Sequence, residues 1–232
     1  ESHGEQLLDL PGVILIRARP LGGIGLLVVQ KRQKRGHLRI QRNLLEQLPE
    51  VSEGVLPQQI VVGGVGLDPV EVVGDSLPEF SGAATDPAIG MMAPVLTGQG
   101  FTGNKIVTTP GTPTLLVFIA HWCGFCQREV PLLVKWNSAG EVPSGLDVIA
   151  ITTSTDPASP NFPPSEWLAR EEFPALWPVM TDSGEKTAAN AMGISGFPFF
   201  VLIDAEGKVA LRISGEIETV ILTEQINSAL SK

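Results

Sequence analysis

The chain has 232 residues, 43% of them hydrophobic, and a formal net charge of −9. That length accommodates one domain or two, and the acidic balance argues against nucleic acid and anionic membrane surfaces as partners. No run of about 18 apolar residues occurs, so no segment reads as a membrane span.

The two parts of the chain differ. Residues 1–73 carry 8 Lys+Arg and 8 Asp+Glu and no aromatic residue, whereas residues 74–232 carry 8 Lys+Arg, 17 Asp+Glu, all 4 Trp and all 9 Phe. The large side chains that dominate a packed core therefore lie in the second part. In the first, Ile14–Ile16, Leu26–Val29, Gln59–Val65 and Val70–Val73 read as short strands, and Asn43–Leu48 as a helical turn ended by Pro49. Gly22-Gly23-Ile24-Gly25 lacks the spacing of a dinucleotide-binding loop. Leu21–Val29 has the length of a signal-peptide apolar region, but the basic cluster Lys31–Arg35 follows it instead of preceding it, so it is not read as a signal. Residues 1–73 are thus expected to be an extension of unknown structure. Residues 74–86, rich in Gly, Pro, Ser and Asp, read as a linker, and 87–232 as the main domain.

That domain opens with two candidate strands, Ala93–Leu96 and Lys105–Thr108, joined by Gln99–Asn104 as an N-terminal β-hairpin. Met91 and Met92 nearby read as core fillers more readily than as copper ligands. The apolar run Thr114–Ala120 reads as a strand. It leads into His121-Trp122-Cys123-Gly124-Phe125-Cys126, and the following Gln127–Trp136 repeats its apolar residues at helical spacing. Strand, two cysteines separated by two residues, helix is the pattern of a thiol–disulfide redox motif. A cysteine at a helix N-terminus meets unpaired N–H groups and the positive end of the helix dipole, and both favour the reactive thiolate.

Downstream, Leu146–Thr152 reads as a buried parallel strand and residues 153–164 as a loop. Pro164–Glu172 reads as a helix, Pro178–Met180 as a short strand, and Lys186–Met192 as a short helix stopped by Gly193. Phe199–Ile203 and Val209–Ser214 pair about the turn at Ala205-Glu206-Gly207, and Thr219–Leu230 closes as an amphipathic helix. This order predicts an α/β sandwich: a central mixed β-sheet flanked by helices.

Cys123 and Cys126 are the only cysteines, so none remains for a structural disulfide, and cysteine usage alone leaves the compartment open. The rival reading, half of a zinc site, needs two more Cys or His ligands. The histidines are His3, His37 and His121, the first two in the part without motifs, so no metal is expected.

Trp122-Cys123-Gly124-Phe125-Cys126 resembles the active site of the thioredoxin superfamily, Pro131 sits where that family kinks its first helix, Gly196-Phe197-Pro198 resembles its cis-proline loop, and Asp204–Lys208 its last hairpin turn. Among its branches the TlpA/ResA-like thiol–disulfide oxidoreductases are most similar, over roughly residues 75–232. The resemblance implies a thioredoxin-like fold, with Cys123 as nucleophile and Cys126 as the more buried resolving thiol. It also implies a cis Phe197–Pro198 bond and a rim of Trp122, Gly124, Phe125, Phe197 and Pro198 that meets the substrate. The family's buried acid, six residues before the first cysteine, is here Val117; Glu166 is the expected substitute for proton transfer, with His121 as a second candidate or an exposed bystander. Phe199, where the family has Thr, suggests a more apolar groove.

The expected activity is dithiol–disulfide exchange with exported proteins, as a reductant in the family's manner, with no cofactor beyond the Cys123–Cys126 redox disulfide. Partners would be protein thiols and disulfides and an upstream electron donor or acceptor. The expected form is a monomer in the periplasm or cell envelope, any membrane anchor or export signal lying outside this sequence. The alternatives are a disulfide-forming oxidant and a non-catalytic binding module that grips partners through Phe125, Phe197 and Phe199.

Overall fold

The computed structural model describes residues 70–231, together with the backbone of three short strands nearer the N-terminus. Those strands, β1 (Asp9–Leu10), β2 (Val13–Ile16) and β3 (Val28–Lys31), form a small antiparallel sheet. They belong to one compact unit, Glu1–Gln59, and the rest of the chain to another, Ile60–Lys232. The strand expected at Gln59–Val65 and the helical turn at Asn43–Leu48 lie outside the described residues.

The second unit is built on a mixed sheet. Its strands are β4 (Glu71–Val73), β5 (Val95–Gly100), β6 (Lys105–Val107), β7 (Thr114–Ile119), β8 (Asp147–Thr152), β9 (Val179–Thr181), β10 (Phe199–Ile203) and β11 (Val209–Ser214). They run in the order β11-β10-β7-β8-β9-β5-β4, with β6 beside β5. The three central strands β7, β8 and β9 are parallel, and β10, β11, β5 and β4 are antiparallel to their neighbours. Every residue of β7 and of β10 is buried, as continuous apolar runs require when both sheet faces are covered.

Period-two alternation divides the core into two layers. Leu116 and Phe118 with Phe199, Val201 and Ile203 face one side, where α3 (Thr187–Ala191) packs. Leu115, Val117 and Ile119 with Phe200 and Leu202 face the other. There α1 (Gly124–Ser138) contributes Val130, Leu133 and Trp136, α2 (Pro164–Arg170) Trp167 and Leu168, and α4 (Thr219–Leu230) Leu222 and Ile226. Both cysteines belong to this second layer.

Three expectations change. β5 and β6 pair antiparallel, but β5 runs on into the expected turn, because Gln99 and Gly100 pair with Thr181 and Met180 of β9. The extension expected at 1–73 overlaps the sheet, since β4 pairs with β5 and Val70 is buried. The stretch 74–86 is no free linker. Leu77 is buried and its N–H donates to Ala191 O at 2.8 Å; Phe80 N–H donates to Gly193 O at 2.9 Å. Arg212 of β11, itself buried, donates through Nε and Nη2 to Asp86 at 2.8 and 2.5 Å and through Nη1 to Pro78 O and Met192 O. Gly193 has φ +66°, and a Cβ there would collide with Pro78 O, so glycine permits the strap's close approach. The Gly, Pro, Ser and Asp composition of 74–86 signalled irregular backbone, and irregular backbone here is still bonded to the domain at Leu77, Pro78, Phe80 and Asp86.

Candidate active site

The site forms where β7 ends and α1 begins. Cys123 is the N-cap of α1, with extended backbone (φ −74°, ψ 119°), and no side chain caps that end. Its thiol is 9% exposed and approaches Phe197 O at 3.5 Å. The Phe197–Pro198 bond is cis, and a second cis bond, missed from the sequence, is Phe162–Pro163.

Cys126 lies one turn into α1 and is fully buried. Burial pushes its thiol strongly up, only partly opposed by the Ala120 N–H that donates to Sγ at 3.4 Å. The Glu129 carboxylate adds to the upward push. Glu129 is itself 0% exposed. Its Oε2 accepts from Ile217 N–H at 3.1 Å, while Oε1 has no partner among the described residues. Burial, reinforced by Glu216 and Glu218, raises Glu129 to about 7 against an ordinary 4.5.

Sequence reasoning passed over Glu129, although the signal was present. Cys126, Val130 and Leu133 lie at i, i+4 and i+7 on the face of α1 that enters the core, and Glu129 is i+3 on that face. Glu166, expected to supply the missing acid, is exposed on the first turn of α2. Val117, 0% exposed in β7, is covered on the same side of the sheet as Cys126. The buried acid comes from the helix above the sheet and not from the strand below it.

His121 also differs from expectation. It is fully buried and so is not an exposed bystander. Nδ1 donates to Pro160 O at 2.6 Å and Nε2 accepts from Asp156 N–H at 3.2 Å. Trp122, 40% exposed, donates from Nε1 to Ser154 O at 2.7 Å, and His121 O accepts from Asn161 Nδ2 at 3.2 Å. The two residues before Cys123 therefore hold the 154–161 loop against the site.

The rim contains exposed Gly124, Phe125 at 55% and Trp122, whose ring stands edge-on to Phe197 at 6.3 Å. Phe199 does not join it: its ring is fully buried against Phe80 at 5.2 Å, because residue 199 points to the opposite face of the sheet from Phe200. Among the described residues no three His, Cys, Asp or Glu side chains cluster so as to hold a metal ion, and no helix is long and apolar enough to cross a membrane.

The chain is similar to several known proteins. Residues 72–229 match the redoxin family. Thiol-disulfide oxidoreductase ResA of Bacillus thuringiensis is 30% identical over 131 residues, 55% of this chain and 70% of that protein. Methylamine utilization protein MauD of Methylophilus methylotrophus is 28% identical over 127 residues, 53% of this chain, and the match spans only 54% of its length. Among solved structures, a Chlorobium tepidum protein described as thiol:disulfide interchange protein DsbE superposes with TM-score 0.51 at 28% identity, covering 61% of this chain and 97% of that one.

Proposed function

The chain belongs to the redoxin family, among its thioredoxin-fold, ResA-like thiol–disulfide oxidoreductases, and from that premise we propose that it reduces disulfides of protein substrates through Cys123 and Cys126. The Cys123 thiolate attacks one sulfur of a substrate disulfide. That S–S bond breaks, the released substrate thiolate takes up a proton, and a mixed disulfide with Cys123 remains. Cys126 then gives its proton to the Glu129 carboxylate and attacks Cys123 Sγ. The mixed disulfide breaks, the second substrate thiolate leaves, and it takes up a proton. Two electrons pass to the substrate, and the Cys123–Cys126 disulfide is returned to the dithiol by an upstream protein dithiol.

One observation carries this reading: beneath a nearly covered Cys123 at the head of α1, a buried thiol and a buried carboxyl with an unpartnered oxygen sit one turn apart. A thiol pushed up by burial attacks slowly unless a base takes its proton, and Glu129, raised to about 7, is matched to that task near neutrality. Trp122, Gly124, Phe125 and the half-buried Phe197 form the surface on which an extended substrate segment lies, whereas Pro198, also expected there, is buried. The working form is a monomer outside the cytoplasm, in the periplasm or cell envelope, and the Cys123–Cys126 disulfide is its only redox group.

Single-cysteine variants test the roles. Cys126→Ser should accumulate a mixed disulfide with substrate, recoverable on a non-reducing gel, and Cys123→Ser should trap little. Equal trapping by both refutes the assignment, and trapping by neither favours a non-catalytic binding module. Equilibration of the pair with glutathione tests the direction: a potential near about −270 mV supports a reductant, and one near about −120 mV an oxidant.

A further inference from the structure

Arg128 lies one turn behind Gly124 on α1, and its guanidinium is held in place. Nε and Nη2 donate to the two carboxylate oxygens of Glu216 at 2.7 and 2.8 Å. The guanidinium carbon stands 4.8 Å from the centre of the Phe125 ring. A bidentate pair on one edge and a ring under one face fix the plane of the group. Nη1 has no acceptor among the described residues, and it points to Gly124, where a Cβ would lie 3.8 Å from it. Gly124 follows Cys123 directly, so the uncommitted edge of a fixed cation borders the reacting sulfur's own backbone. The Arg128 side chain is 59% exposed. The Trp122 Nε1–H at the same rim is taken by Ser154 O, and Phe125 offers only carbon.

We propose that Arg128 is a specificity-determining residue that receives a carboxylate carried by the substrate within one or two positions of its reacting cysteine. The inference rests on thiol–disulfide exchange at Cys123 and names the class of protein substrate this site favours. A carboxylate accepts from Nη1 while Glu216 keeps Nε and Nη2, and the Phe125 ring keeps water off one face of the contact. The domain as a whole is acidic, with 17 Asp+Glu against 8 Lys+Arg in residues 74–232. Its long-range field repels an acidic substrate wherever the charge sits, whereas Arg128 acts only at short range. The preference therefore concerns where the carboxylate lies, not the substrate's net charge.

The test uses the full chain, dithiothreitol as electron donor and two disulfide-linked peptides of identical composition. One carries Asp beside the cysteine, the other the same Asp about six residues away, so net charge cancels. The near peptide should be reduced about threefold faster, the size of one exposed charge contact. Arg128→Met should bring the ratio to about one, and Glu216→Ala should raise it by returning Nε and Nη2 to the substrate. A ratio of one in the unsubstituted protein, or an unchanged ratio in Arg128→Met, overturns the inference alone. Reduction of neither peptide overturns the exchange reading, and this inference with it.

Discussion

Replacing Glu129 by glutamine should make the protein more stable and less active at the same time. The carboxyl is 0% exposed with one unpartnered oxygen, and in the folded state it titrates near 7 instead of 4.5. Below about pH 4.5 it is protonated in folded and unfolded chains alike and costs no stability. Between 4.5 and 7 the folded chain holds a proton that the unfolded chain has released, so stability falls as pH rises, and it levels off above 7. The rise from 4.5 to about 7, at about 1.4 kcal/mol per pH unit, makes the ionised form cost about 3–4 kcal/mol. A glutamine side chain in its place would be neutral throughout, and its amide oxygen can still accept from Ile217 N–H. Urea unfolding of the reduced protein and of Glu129→Gln between pH 4 and 8 checks this. The two stabilities should be close at pH 4, and at pH 8 the variant should lead by about 3–4 kcal/mol. Rapid-mixing kinetics of the same variant should show the mixed disulfide resolving more slowly, with the pH dependence near 7 gone. Parallel stability curves would show that the carboxyl is not held protonated by its surroundings, and the proposed proton acceptor would fail with it.

Asp86→Ala should cost about 3–5 kcal/mol, because it leaves the fully covered Arg212 charge unpaired, and limited proteolysis should then cut within 74–86. Arg212 holds the Asp86 carboxyl below its ordinary range, so the stability it supplies is present above about pH 4 and is lost as pH falls below that, readable as an acid unfolding limb missing from Asp86→Asn. His121→Phe removes the acceptor for Asp156 N–H and the donor to Pro160 O, which should cost about 1–3 kcal/mol and speed hydrogen exchange at Asp156. A chain beginning at Val70 should melt higher than one beginning at Gly74, since the shorter loses β4 and a buried valine that contributes about 1.5–3 kcal/mol; equal melting would return residues 70–73 to the extension.

Local chemistry wrote much of this protein openly. The apolar run Thr114–Ala120, the cysteines at the following turn and the helical spacing beyond them place a dithiol at a strand–helix junction, because side-chain period and cap position depend on neighbours a few residues away. The alternation of strands and helices after Asp147 likewise yields the mixed sheet, its parallel centre and its antiparallel edge hairpin β10–β11. What covers each face was decided elsewhere. His121 is polar in sequence and buried in fact because Asp156 and Pro160, 35 and 39 residues on, return to both ring nitrogens. Asp86 and Arg212 meet across 126 residues, and their pairing turns a linker-like composition into part of the domain. Phe199 faces the core because the register of β10 on β7 sets it opposite Phe118. Glu129 shows both limits: its helical face was legible from Cys126, Val130 and Leu133, but its raised titration was not, since a carboxyl's proton affinity is set by the solvent and charges around it, and the segment 216–218 brings those from 88 residues away.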